Sequence, residues 1–222
     1  MTDSRQTDVG QLIGSGVSLM HDLMQAPHHL LDLAFNDDFL RRKLQLHHVG
    51  LLVSRCSDAE MVSSIEAHGL QVLSVFPSSV VATQLSKQFG KPVKIDISRT
   101  CSSSGGVQTL ELFRVVDGLE THEVAAVMPD ILHIAYVPTE SVDVETLCTK
   151  MAADGFDYIG GGINYQDVTA DSGENTVLYF LNRQLLKDVP KIELVLPGTH
   201  AIPSIREDAV SFSASSPIGD RL

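Results

Sequence analysis

The sequence predicts an α+β protein built from a duplicated β-α-β-β-β unit. Three observations carry that reading. The run Leu46–Val53, LHHVGLLV, recurs in altered form as Leu132–Val137, LHIAYV, and each copy carries a histidine near its start. Each is followed by a helix-like segment closed by glycine, then by strand-like segments. Each ends in a strand holding a glutamate inside an apolar run, Glu111 in Val107–Val116 and Glu193 in Lys191–Leu196. Aligning VGLLV on IAYVP pairs His48 with His133; the copies are then offset by 85 residues at the histidine (48 to 133), 86 at the glycine (69 to 155) and 82 at the glutamate (111 to 193). An offset this steady over a unit of this size marks a duplication.

The first 43 residues have no counterpart in the second copy. Leu12, Val17, Leu19, Leu23 and Met24 give Val9–Gln25 a helical spacing, weakened by Gly10, Gly14 and Gly16. Pro27 suits the first turn of a second helix, PHHLLDLAF, and Asn36 can cap a third, DDFLRRKL. His28 and His29 are a solvated pair with no partner at metal spacing. Residues 1–43 therefore read as a helical extension, a collar or the arm of a homodimer.

The first module, 44–117, opens with the strand Leu44–Val53. Ser57 and Glu60 have capping-box spacing, Ala59, Val62 and Ile65 form the stripe of the next helix, and Gly69 ends it. Leu70–Phe76 is a strand stopped by Pro77, and Ser79–Phe89 is a helix inserted between strands. Lys94–Ser98 alternates as a half-buried strand, Cys101–Gly106 reads as a turn or loop, and Val107–Val116 closes the unit. Residues 118–129 form a linker, with Val124–Met128 as an edge strand. The second module, 130–198, begins with the strand Asp130–Val137. Ser141 or Asp143 caps its helix, Gly155 ends it, and Phe156–Ile159, Thr176–Asn182 and Lys191–Leu196 are its strands. GGGINYQD at 160–167 is flexible or approaches something closely, Asn182–Pro190 is a polar turn, and 199–222 is a Ser- and Pro-rich tail.

Composition narrows the function. With 222 residues, 43% hydrophobic and 20% charged, the chain reads as a soluble globular protein of one large core or two small modules. No apolar run approaches the ~20 residues that cross a bilayer, and the start MTDSRQTD lacks a signal-peptide pattern, so a cytoplasmic location without membrane partner is expected. Three scattered cysteines suit a reducing compartment and form neither a disulfide framework nor a thiolate cluster. A net charge of −12 argues against nucleic-acid binding. Arg99 or Arg114 could still hold one anionic group of a small substrate.

The pattern histidine-hydrophobic-small-hydrophobic, then helix-Gly, then a terminal Glu-Leu strand, resembles the vicinal oxygen chelate superfamily, also called the glyoxalase/bleomycin-resistance fold. The resemblance spans about residues 44–198. It implies that the two βαβββ modules pair into a cupped eight-stranded sheet around a divalent metal. Carried over residue by residue, the implied ligands are His48, Glu111, His133 and Glu193. It also implies a substrate with adjacent oxygens and a carboxylate base, Glu193 first and Glu111 next.

Physical chemistry supports that site. Leu110-Glu-Leu-Phe and Ile192-Glu-Leu-Val set each acid in an apolar strand, where an inward carboxylate needs a partner. Lone strand histidines are usually structural, but four metal-capable residues at repeat-equivalent places are not explained by packing. Nitrogen and oxygen ligands with open positions suit Zn²⁺, Ni²⁺, Co²⁺, Mn²⁺ or Fe²⁺. His47 competes locally; regular alternation puts it on the face opposite His48, and a slipped register would exchange them. His21–Asp22 and His122–Glu123 read as surface pairs, Tyr165 and Tyr179 as packing, and His200 could approach from the tail.

Chelation of two adjacent substrate oxygens makes a proton beside a carbonyl removable. The resemblance thus implies an isomerase or epimerase like glyoxalase I or methylmalonyl-CoA epimerase. An Fe²⁺ extradiol-type dioxygenase ranks second because a fourth ligand, Glu111, crowds its open face. A metal-dependent lyase or hydrolase, and a non-catalytic binding or resistance protein, are the other readings.

Overall fold

Period-two alternation decides how this chain packs, because its central strands are buried on both faces with a different residue set on each. The computed structural model describes residues 9–25, 35–102, 108–164, 174–182 and 191–201. In chain order they form α1 (Val9–Gln25), α2 (Asp38–Lys43), β1 (Leu44–Val53), α3 (Asp58–Ala67), β2 (Leu70–Pro77), α4 (Ser79–Phe89), β3 (Lys94–Ser102) and β4 (Gln108–Asp117). Then come α5 (Thr121–Ile131), β5 (His133–Pro138), α6 (Val144–Ala153), β6 (Asp157–Asn164), β7 (Asn175–Leu181) and β8 (Lys191–Pro197).

The strands make one cupped, eight-stranded mixed sheet in the order β2-β3-β4-β1-β5-β8-β7-β6. Each β-α-β-β-β unit supplies four neighbouring strands. β1 and β5 meet antiparallel at the centre, flanked by the parallel pairs β1/β4 and β5/β8. The order therefore reads alike from either edge, as two copies of one unit joined at their first strands.

One face carries Val49, Val53, Leu110, Leu112, Ile134, Tyr136, Ile192 and Leu194, packed against Met61 and Ile65 of α3 and Leu147 and Met151 of α6. Ile65 is fully buried, and cutting it to alanine would cost about 2–5 kcal/mol through lost transfer energy and a cavity. The helix ends follow the sequence signals. Ser57 and Glu60 form a reciprocal capping box, and the Asp143 carboxylate accepts the Thr146 amide at 2.8 Å. Gly69 and Gly155 follow the two helices with φ of 71° and 83°.

The N-terminal segment is part of this layer. Ile13, Phe35 and Leu40 are fully buried in the main core. A Cβ on Gly16 would stand 2.2 Å from the Leu51 side chain, so the glycines that weaken α1 let it lie close on β1. Phe35 wedges between Tyr136 and Phe156, with ring centroids 5.8 and 5.4 Å away. α2 is capped by Asp37, whose carboxylate accepts the Phe39 and Leu40 amides, where the sequence suggested Asn36. The expected helix from Pro27 lies almost wholly outside the described residues.

On the other face, α4 and α5 cover only the first half of the sheet. Val81 and Leu85 of α4 and Val124, Val127 and Ile131 of α5 pack with Leu52, Ile95, Ile97, Phe113 and Val115. The expected edge strand at Val124–Met128 is thus a helix. Its apolar residues recur at the three- and four-residue spacing that one buried helix stripe requires, and Glu120 and Glu123 box its start. That helix also delays β5, which begins at His133 rather than Asp130. β3 runs on through Cys101 and Ser102, expected to be loop, and β6 takes in the glycines 160–162, where Gly161 lies against the Val177 carbonyl. Residues 183–190 of the connection and 202–222 of the tail fall outside the described residues, among which no helix is long and apolar enough to cross a membrane.

Candidate metal centre

Alternation sends Glu111 and Glu193 to the cupped face while Leu110, Leu112, Ile192 and Leu194 take the helix face. His48 and His133 join them there from the two central strands. All four are buried, with at most 5% exposure. His48 Nε2, His133 Nε2 and a Glu193 carboxylate oxygen all lie within 4.8 Å of one another. Glu193 Oε2 is 2.9 Å from His133 Nε2 and 4.0 Å from His48 Nε2, and the two Nε2 atoms are 3.3 Å apart. Glu111 Oε2 stands 3.4 Å from His48 Nε2, beside this group of three.

The hydrogen bonds behind these atoms decide what they offer. His133 Nδ1 is 2.8 Å from the Ile131 carbonyl, which only accepts, so Nδ1 carries a proton. Its Nε2 then turns toward a carboxylate oxygen, and the 2.9 Å approach is stable with a proton on Nε2 or a cation between them. For His48, burial pushes the imidazolium pKa well below its usual value, and the charges of His133, His47 and Arg99 add to this against Glu193, so the ring is neutral. Burial raises the Glu193 carboxyl, but the charge and hydrogen bond of His133, with His48 and Lys191, outweigh it and hold it at about 2. Two neutral-capable imidazole nitrogens and an ionised carboxylate oxygen are the donors a divalent first-row ion takes. This buried His-His-Glu group could bind a metal.

The two acids have different partners across the ladder. Arg99 lies opposite Glu111 in the β3/β4 register, and its Nε donates to Glu111 Oε1 at 2.8 Å. Tyr179 lies opposite Glu193 in the β7/β8 register and donates its phenol to that carboxylate. Burial pushes the Glu111 carboxyl above its usual value, and Arg99 only partly offsets this. Tyr179 is pushed well above the usual phenol value by burial and by the two glutamates, so it stays a donor.

One expectation fails on local geometry. His47 was placed opposite His48, yet its Nδ1 lies 2.8 Å from His48 Nδ1 and both rings line the same cavity. The cause is a β-bulge. Leu46 pairs with Tyr136 and His48 with Ala135, so His47 is an extra residue in β1 and alternation breaks there.

That cavity, about 140 Å³, is walled by Phe76, Ile97, Phe113, Val177 and Val195, with Arg99, Glu111, Tyr179 and Glu193 on its polar side. Arg114 is elsewhere, paired with Asp58 and Asp96 near the start of α3. Glu123 pairs with Lys91. His200 bonds to Thr176 Oγ1 and the Pro197 carbonyl beyond the end of β8. His28, His29, Tyr165 and the side chains of His21 and Asp22 lie outside the description. Tyr179, expected as packing, and the Arg99–Glu111 pair thus belong to the site without a mark in the sequence motif. The usable signal was cross-strand position, since each residue faces an acid.

No protein-family profile and no curated protein matches the sequence. Two solved structures are similar. One is a glyoxalase family protein from Bacillus cereus, 15% identical, covering 66% of this chain and 91% of that one at a TM-score of 0.24. The other is a glyoxalase family protein from Enterococcus faecalis, 17% identical, covering 68% and 96% at a TM-score of 0.21.

Proposed function

We propose that this chain is a divalent-metal isomerase or epimerase of the glyoxalase type, moving a proton next to a carbonyl of a small molecule held through two adjacent oxygens. The observation that carries the reading is the division between the two buried acids. Glu193 sits with both histidines, while Glu111 is held by Arg99 at the edge of that group.

His48, His133 and Glu193 would hold the ion, with Glu111 close enough to join them. When bound, a divalent ion supplies Lewis acidity that stabilises negative charge growing on a carbonyl oxygen, worth several kcal/mol. Of the two acids, Glu193 lies within the group that would hold the ion and Glu111 stands at its edge, 3.4 Å from His48 Nε2, so Glu111 is the candidate base and Glu193 the ligand. The resemblance implies the other order, Glu193 first. Arg99 fixes Glu111 through Oε1, leaving the orientation of Oε2 set as it removes the carbon-bound proton and returns it to the same or a neighbouring carbon. Tyr179 and the Ile131 carbonyl hold Glu193 and His133 in place, and the apolar walls keep water from the reacting carbon.

A second reading has one observation in its favour. A group of two histidines and one carboxylate is also the face used by non-haem Fe²⁺ oxygenases, which supports an extradiol-type dioxygenase. One assay separates the two. Pure protein loaded with Zn²⁺, Ni²⁺, Co²⁺ or Mn²⁺ is given hydroxy-ketones, 2-oxoaldehyde–thiol adducts and 2-substituted acyl thioesters in deuterated water. Deuterium incorporation seen by NMR, without O₂ or a nicotinamide, is the expected result. Oxygen-dependent cleavage of a catechol by the Fe²⁺ form, with no exchange on any of the panel, would replace the isomerase with the dioxygenase.

A further inference from the structure

The bulge in β1 creates a contact that regular strand geometry forbids. Adjacent residues of a flat strand point to opposite faces, yet the His47 and His48 rings meet edge to face with centroids 5.1 Å apart and Nδ1 atoms at 2.8 Å. A hydrogen bond between two Nδ1 atoms needs one proton, carried by one ring and accepted by the other. The choice of carrier sets the far nitrogen of His48. If His47 donates, neutral His48 keeps its proton on Nε2, which then points at His133, Glu111 and Glu193 as a donor. If His48 donates, its Nε2 presents a lone pair to the same place.

We propose that His47 is a positioning residue for His48: its Nδ1 accepts the His48 Nδ1–H and so fixes the tautomer and ring orientation in which His48 Nε2 can hold an ion. The inference rests on the metal reading above and adds a role that the ligand set does not contain. It parallels His133, whose Nδ1 is held by the Ile131 carbonyl. Each histidine of the group thus has its rear nitrogen bonded, one by a main-chain oxygen and the other by a neighbouring ring. A ligand histidine whose second nitrogen has lost its partner typically binds metal 10–100-fold more weakly, as an order of magnitude. The bulge is then what brings the acceptor within reach, and His47, half-buried at the cavity wall, keeps its own proton on Nε2.

Two measurements on the full-length protein test this. The first titrates metal-stripped protein with Co²⁺ and Zn²⁺ against a competing chromophoric chelator. His47→Leu, of similar bulk but without an acceptor, should weaken both ions by about 10–100-fold. His47→Asn can set its Oδ1 where the Nδ1 stood and should recover most of that loss, which a purely packing role would not allow. The second is ¹⁵N NMR of histidine-labelled wild type loaded with Zn²⁺, expected to show His48 protonated on Nδ1 and His47 on Nε2; it decides the matter if His47→Leu does not fold. Wild-type affinity in His47→Leu, or a loaded wild type with His48 protonated on Nε2, would overturn the role of His47 while leaving the metal centre standing. Failure of the wild type to take up either ion would overturn both.

Discussion

Gly50 lies directly across the β1/β5 ladder from His133, and the imidazole covers it so closely that a Cβ on residue 50 would stand 2.0 Å from Cε1 and 2.4 Å from Nε2. The glycine of LHHVGLLV is therefore the floor beneath a ligand candidate. Replacing a strand glycine with alanine ordinarily stabilises by roughly 0.5–1 kcal/mol. Here Gly50→Ala should do the reverse, because the ring must leave its hydrogen bond to Ile131. We expect a folded protein of lower Tm whose affinity for Zn²⁺ or Co²⁺ drops at least about tenfold. Unchanged affinity by chelator competition would show that the ring position does not matter.

Metal binding should appear as stability. An ion present at about 100 times its Kd adds about 2.7 kcal/mol, which raises the Tm of a chain this size by roughly 5–10 °C. Differential scanning fluorimetry with Zn²⁺, Ni²⁺, Co²⁺ and Mn²⁺ should show that rise, and a chelator should remove it. His133→Ala should abolish the response. An equal shift in the His133 variant would locate the ion elsewhere.

The two acids should separate under the same conservative change. Glu193→Gln removes the anionic donor and should lose metal. Glu111→Gln should keep metal and lose solvent proton exchange by about 10²–10⁴-fold. It should also lower the Tm, because Arg99 stays buried without its carboxylate. Exchange that survives in Glu111→Gln would return the base role to Glu193.

Asp37 gives a pH-dependent link between the N-terminal segment and α6. Its hydrogen bond to Lys150 at 2.8 Å, with the Leu40 and Phe39 amides, holds its carboxyl below the usual value against the effect of burial. A depressed folded-state pKa stabilises the fold above the unfolded value, 3.8, and that contribution is lost as pH falls through the lower folded value. Asp37→Ala should therefore cost about 1 kcal/mol at neutral pH, as lost caps do. The gap between variant and wild type should narrow below pH ~4. A gap independent of pH in urea melts would assign the loss to packing alone.

Much of this site was legible because strand period and duplication are properties of sequence. Leu-Glu-Leu-Phe and Ile-Glu-Leu-Val state that the acids face away from the leucines, and the repeat names His48 over His47. What was not legible depends on partners distant in the chain. The bulge that turns His47 toward His48 is a mismatch between β1 and β5, visible only once they pair. Arg99 and Tyr179 acquire meaning from the residues opposite them. Val124–Met128 is short enough to suit either period, and burial of Val124, Val127 and Ile131 under the sheet favours a helix.

The uneven cover of the cupped face has a dynamic consequence. Among the described residues, the first half of the sheet lies between two helical layers, while the second half has α6 on one face and only Ala135, Val177, Val195 and Tyr179 clustered on the other. Amide hydrogen exchange should therefore be slowest along β4 and β1 and fastest along β6 and the β6-facing amides of β7, where fewer buried contacts oppose local opening. Ile163, Asn175 and Val177 of that looser half line the cavity. Exchange faster along β6–β7 than along β4 and β1 would mark β6–β7 as the cavity wall that yields, with Arg99 and Glu111 on the rigid side.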